Sequence, residues 1–320
     1  LTSTGVTTVQ ALVDRAENYP PRTLPDAALV VTMSVDTQPD RLEVQIDAWG
    51  PGMERWVMDY IVLWGSPSVP PETPGSVWAR LDEIRRTPFQ HVSGALIPIS
   101  AWGIDSGGAN TQDVYHYGAS CRASGCVILR GASRPNRPII SAKPSAQEID
   151  WGGQRDPAGA ELWIVGTDVA KDWIFNRIEL PAGPGAMHFH KHIEQAWFEQ
   201  LLAERKIQKL RGGNVVEVWH KDAHVRNEAL DLCVYSLAIA FKLRLDKWSA
   251  LDWARLRKKL IRDDITPDLF AAPTPPAAPE NIDLAASPAP PVIAPVAAPV
   301  ASTPFIKPVQ RRRILSRGLS

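Results

Sequence analysis

The sequence has no apolar run approaching the roughly 18 residues needed to cross a bilayer. Its opening, LTSTGVTTVQ, lacks the basic and apolar segments of a secretory signal. Together these absences predict a soluble, cytosolic protein with no membrane partner. Cysteine is scarce: Cys121, Cys126 and Cys233 form an odd set without a CxxC pair, which argues against a disulfide framework or a zinc knuckle and predicts free thiols. Net charge is also missing, with 35 basic residues against 35 acidic ones. No global positive field therefore advertises a nucleic-acid ligand, and only a local basic patch can supply one. No internal repeat occurs, and the chain begins at Leu1 with no methionine, so residues 1–27, proline-interrupted with one short helix near Val9 to Glu17, read as a connector from an upstream segment.

What is present from Leu29 onward is a succession of patterned segments. ALVVTMSVD is a continuous apolar run ending in a carboxylate, RLEVQIDAWG alternates, and ERWVMDYIVLWG follows after a short polar turn. Three such strands predict an antiparallel meander. A helix is expected at about Val77 to Arg86, then the strand ALIPISAWGID, a Gly-Gly turn and the helix TQDVYHYG. Further on come the strand CVILRG, a polar loop, the strand ELWIVGTD, a helix from about Val169, the strand NRIELP and a helix over Glu194 to Arg205. A long helix from Asn227 to about Leu243 repeats Leu230, Val234, Leu237 and Phe241 at helical spacing, which defines a buried face. A last helix is expected near Ser249 to Ile261. Beyond it a Pro/Ala tract, Pro267 to Pro308, cannot bury enough surface to fold. It ends in QRRRILSRGLS, a basic cluster that reads either as a grip on nucleic acid or an acidic partner, or as a solvated terminus.

The chemistry-bearing residues are acids. Asp36 ends a strongly apolar strand, where an ionised side chain is expensive unless it meets water or a cation. Asp105 repeats that placement in WGIDSGG. Glu228 and Asp231 are three apart in RNEALD and so share one face of the late helix. Converging carboxylates are what a pair of hard divalent cations requires for phosphodiester hydrolysis. The plainer alternative is that strand-end Asp starts turns and first-turn acids complement the helix dipole. In GTDVAKDWIFNR, Asp168 reads as a helix cap, while Lys171 and Arg177 offer cations to a phosphate backbone. HFHKH places His188, His190 and His192 at alternate positions, a weak zinc pattern without an evident cysteine or carboxylate partner. The aromatic residues are scattered on apolar faces, where core packing explains them.

In order, VDTQPDRLEVQIDAWG, AWGIDSGGANTQDVYHY, GTDVAKDWIFNRIEL, GPGAMHFH, FEQLLAERK and RNEALDLCVYSLA resemble the nuclease half of the lambda-type phage large terminase subunits, over about Leu29 to Leu245. The resemblance implies an α/β, RNase H-like mixed sheet flanked by helices, which with the composition shift gives a nuclease domain spanning 28–262 and a disordered Pro/Ala-rich tail at 263–320. It implies two divalent ions, Mg²⁺ or Mn²⁺, held by Asp36, Asp105 and the Glu228/Asp231 pair, with Glu228 taken first. Lys171, Arg177 and Arg226 become candidates for touching DNA. The implied activity is metal-dependent cutting of concatemeric double-stranded DNA in the host cytoplasm, with a terminase small subunit and a capsid portal as partners. A full subunit of that family would also carry an ATPase with a GxxxxGK[ST] loop, and no such sequence occurs here, so no ATP site is expected in this chain. Two rival readings are another RNase H-like DNA enzyme, such as a transposase or junction resolvase, and a non-catalytic portal-docking module.

Overall fold

Continuous apolar segments become the interior strands of one eight-stranded sheet, because only strands covered on both faces are apolar at every position. The computed structural model describes residues 7–261, all within one compact unit. The expected tail and its basic end lie outside the described residues, as do residues 1–6. The chain runs through α1 (Val9–Asp14), β1 (Thr23–Leu24), β2 (Val30–Thr37), β3 (Arg41–Trp49), β4 (Arg55–Trp64) and α2 (Val77–Arg86). There follow β5 (Phe89–His91), β6 (Leu96–Ile97), β7 (Ile99–Asp105), α3 (Thr111–Ser120), β8 (Cys126–Gly131), β9 (Ser145–Trp151) and β10 (Gln154–Val165). The last elements are α4 (Thr167–Phe175), β11 (Met187–Phe189), α5 (Gln195–Leu201), β12 (Glu204–Arg211), β13 (Asn214–Lys221), α6 (Glu228–Lys242) and α7 (Ala250–Leu260).

The main sheet has the order β11-β4-β3-β2-β7-β8-β10-β9. β2, β3 and β4 form the expected antiparallel meander. From β2 the sheet continues through β7, β8 and β10, all parallel to it, so the carboxyl ends of these four strands share one edge. Helices cover both faces. On one, Val31, Met33 and Val35 of β2 and Trp102 and Ile104 of β7 pack with Trp78 and Leu81 of α2 and Val114 and Tyr115 of α3. On the other, Val30, Trp49 and Ala101 share a core with Leu230, Val234 and Leu237 of α6, Ile174 of α4 and Phe198 of α5. The segment expected as a connector is packed in: Leu12 and Leu24 are buried, and β1 pairs with β5.

Three local expectations are corrected. NRIELP is not a strand: Asn176 N–H and Arg177 N–H bond back to Asp172 and Ile174 carbonyls, closing α4, and the place beside β4 goes to β11. The helix expected to Arg205 stops at Leu201, and Glu204 opens the hairpin β12–β13. Its turn is Gly212-Gly213, both at positive φ (54° and 82°), which suits a tight two-residue connection that other residues adopt at a penalty. The polar loop after β8 contains β9, which pairs antiparallel with β10.

Candidate active site

The period of a strand decides what faces α6. If Val31, Met33 and Val35 point to one side of β2, then Thr32, Ser34 and Asp36 point to the other. Thr32 Oγ1 lies 3.2 Å from Ser236 Oγ, and Ser34 Oγ donates to the Leu232 carbonyl, so that side is the α6 side. The same parity on β7 turns Asp105 toward α6, where Tyr235 lies beside it and lowers its proton affinity. β2 and β7 pair in parallel through Val35 and Ile104, so Asp36 and Asp105 follow at adjacent strand ends. Both are buried, 5% and 7% exposed.

The surroundings raise the affinity of these acids for protons. Burial pushes the Asp36 carboxyl up to about 8, with the nearby Asp105, Asp231 and Glu43 charges adding to it against a hydrogen bond from Gln38. Burial likewise raises Asp105, opposed by Tyr235, by the Gly107 amide, which donates to Asp105 Oδ1 at 3.1 Å, and by the Arg130 charge. Asp231 is pushed up to about 6, again first by burial; Lys171 and Lys221 pull it down while Glu204 and Asp105 push it up. Tyr235 is held far above its ordinary value by burial and by the same three aspartates, so it remains a donor. Asp36, Asp105 and Asp231 thus sense one another at one edge of the sheet.

Glu228 does not join them. Its carboxylate takes Arg41 Nη2 at 3.2 Å and Arg226 Nε at 3.2 Å. Those two arginines also hold the fully buried Glu43, with Arg41 Nε at 2.6 Å and Arg226 Nη2 in close contact, while Tyr60 donates to the other Glu43 oxygen. The pair on RNEALD is therefore split, with Asp231 facing Asp36 and Asp105, and Glu228 tying the start of α6 to β3.

The cations divide in the same way. Lys171 is buried, with its Nζ 2.7 Å from Glu204 Oε1 and 3.8 Å from Asp231 Oδ1. Asn227 bridges the same two acids, donating to Glu204 at 2.9 Å and to Asp231 at 3.0 Å. Arg226 is half-exposed and engaged with Glu43 and Glu228. Arg177 stacks over Trp173, 4.4 Å from the ring centroid, and lines a hollow with Gly185 and Phe241 that none of the four candidate carboxylates touches. Asp168 does not cap α4, whose N-cap is Gly166 without a side-chain bond; it accepts from the Asn136 amide at 2.6 Å.

The three histidines do not converge on one point, although the His190 and His192 rings lie 6.0 Å apart. His188 stacks on Trp56 and bonds to Glu17 and Glu54, His190 is buried beside Tyr19, and His192 is exposed. Among the described residues no group of three or more His, Cys, Asp and Glu side chains is placed so that it could hold a metal ion. Sequence reasoning missed Tyr235, Gln38, Glu204 and Arg130. Tyr235 was findable, since it lies four residues after Asp231 on the same helical face.

Residues 3–253 match the family described as the endonuclease domain of the terminase large subunit gpA. The chain belongs to this family. Among similar proteins, the terminase large subunit of Escherichia phage lambda is 30% identical over 263 residues, covering 80% of this chain and 38% of that protein. The terminase large subunit of Enterobacteria phage P21 is 28% identical over 269 residues, covering 81% of this chain and 39% of that protein. The chain thus spans about two-fifths of the length of these terminase subunits. No solved structure matches it. Among the described residues no helix of this terminase nuclease domain is long and apolar enough to cross a membrane.

Proposed function

We propose that the chain is a metal-dependent endodeoxyribonuclease that hydrolyses phosphodiester bonds at Asp36, Asp105 and Asp231. The observation that carries this reading is the meeting of three acids, from two parallel strands and one helix, at a largely buried sheet edge where the Asp105 and Asp231 charges raise the proton affinity of Asp36 and the Asp105 charge raises that of Asp231. A meander whose first strand is extended by parallel strands, crossed by a helix bearing the third acid, supports the RNase H-like assignment.

The donor chemistry suits a hard divalent cation such as Mg²⁺ or Mn²⁺: all-oxygen, anionic, and short of opposing charge at Asp36. The open arrangement also suits Mg²⁺, which takes one or two carboxylates and completes its shell with water and phosphate oxygens. Two such ions, when bound, would activate a water and stabilise charge on the departing 3′ oxygen. The chain's own contribution is orientation. Tyr235 and the Gly107 amide aim Asp105, Gln38 aims Asp36, and Asn227 and Lys171 hold Asp231 while keeping it more acidic than burial alone would allow. Glu228 acts as a positioning residue through Arg41 and Arg226.

The substrate in this reading is double-stranded DNA, cut from a concatemer in the host cytoplasm during packaging to leave 5′ phosphate and 3′ hydroxyl ends. The small subunit and the portal would be partners of the larger assembly, and residues 28–262 would form the nuclease domain. The test is nicking of supercoiled plasmid by the purified chain in Mg²⁺, Mn²⁺ or EDTA, beside Asp36→Ala. Metal-dependent nicking lost in the variant supports the proposal. Full activity in the variant, or equal activity in EDTA, sinks it, and no cleavage in either metal removes the autonomous nuclease.

A further inference from the structure

The carboxyl-end edge of the sheet continues past Asp105 to the loop that follows β8. Residues 132–141 of that loop are fastened along their length. Ala132 N–H bonds to the Val165 carbonyl, Asn136 N–H to the Asp168 carboxylate, Gly166 N–H to the Pro138 carbonyl and Ser141 N–H to the Ile164 carbonyl. Contact is so close that a Cβ on Gly166 would lie 2.0 Å from the Arg137 carbonyl oxygen, which restricts that position to glycine. Ile139 is buried beneath the loop. This backbone is held before any ligand arrives.

What the loop presents is positive. A groove of about 670 Å³ is lined by Arg130, Arg134 and Arg137 together with Ser133 and Ser141, and no acid lines it. Arg134 and Arg137 are exposed and have neither a hydrogen bond nor an ion pair. Elsewhere in the domain Arg41, Arg85, Arg155, Arg205 and Arg226 are each held by carboxylates. Arg130 joins the groove to the acids: its Nη2 donates to the Ser106 carbonyl at 3.1 Å, its charge acts on Asp105, and its Nε is buried without a partner. Guanidiniums without an ion pair, on a pinned backbone, are suited to bind phosphate oxygens with little backbone ordering cost, although Arg134 also borders a hollow lined by Asp168, Asp172, Glu204 and Glu217. The groove lies one to two strand spacings from Asp105, roughly 5–10 Å.

We infer that the Arg130–Arg134–Arg137 groove holds the DNA backbone beside the scissile bond, with Arg134 and Arg137 each taking a phosphate. This rests on the nuclease reading above and adds the path of the strand. The contacts are to phosphates, so they set affinity and register on any sequence.

The experiment measures binding of a fluorescein-labelled duplex in EDTA, over a series of salt concentrations, by the chain, by Arg134→Ala/Arg137→Ala and by Arg155→Ala. The double variant is expected to lose affinity on the order of tenfold and to lower the slope of log K against log salt by about 2, close to 0.9 per phosphate contact removed. Arg155, already paired with Glu148, should change neither. In metal, the double variant should nick plasmid with a raised KM and a nearly unchanged kcat. An unaltered affinity and slope, with the parent chain still nicking in metal, overturns the groove alone. A parent chain that neither binds duplex nor nicks overturns the groove and the nuclease reading together.

Discussion

Asp36, next to last in β2, and Asp105, last in β7, stand one residue beyond the paired Val35 and Ile104, and both turn toward α6. Neighbouring parallel strands lie about 4.8 Å apart, so two acids at matched register are close enough to share a cation or to repel each other. Metal-free, the pair is therefore a source of instability that a bound ion would relieve.

Replacing Asp36 with Asn should separate stability from activity. The carboxyl is pushed from 3.8 to about 8, mainly by burial, so ionising it near neutral pH opposes folding. Its amide keeps an acceptor for Gln38 and removes the charge. The variant is expected to be more stable than the parent in EDTA by about 2 kcal/mol, after discounting the full shift for relaxation, and to lose nicking by at least roughly a hundredfold. Thermal unfolding and plasmid nicking measure the two arms; a destabilised, active variant would contradict both.

The two acids of RNEALD should behave differently. Asp231→Asn is expected to abolish nicking with little change in melting temperature. Glu228→Gln breaks the charge balance with Arg41 and Arg226 and should cost about 2 kcal/mol of stability, while nicking falls by less than about tenfold. The reverse pattern would return the ligand role to Glu228.

Metal affinity should rise with pH. Asp36 and Asp231 both titrate near 3.8 when unfolded and at about 8 and about 6 when folded. Their raised values mean the folded chain binds protons more tightly, so metal-free stability falls as pH climbs from about 4 towards 8. Ligation needs the ionised carboxylates, so the Mn²⁺-induced rise in melting temperature should grow over the same window. A shift independent of pH between about 6 and 8.5 would show that Mn²⁺ does not bind these acids.

Lys171→Met should raise the apparent pKa of Asp231 further. Burial is the largest influence there, and Lys171 is the first that opposes it. The pH profile of nicking is expected to move to higher pH. Stability should drop by about 3 kcal/mol, because Glu204 loses its buried cation. An unchanged pH profile would make Lys171 purely structural.

The strands and helices were legible where one period ran without competition. ALVVTMSVD, CVILRG and the Leu230–Val234–Leu237 stripe became β2, β8 and α6. FEQLLAERK misled because its helical pattern runs without a breaker into ERKIQKLR, and only pairing across Gly212-Gly213 makes the second half a strand. In RLEVQIDAWG the polar members of the alternation, Glu43, Gln45 and Asp47, are fully buried beneath α6, where Arg41 and Arg226 meet Glu43, and Cys233 and Trp197 meet Gln45.

Local sequence determined which acids end strands and that Glu228 and Asp231 share a helical face, because strand and helix periods are set by the backbone. Tertiary structure alone decided that Asp231 faces Asp36 and Asp105 while Glu228 turns to two arginines, and that the loop after β8 presents Arg134 and Arg137 unpaired. Those outcomes depend on which charges other elements bring within a few ångströms, and Coulomb forces act on distance in space, which spacing along the chain does not encode.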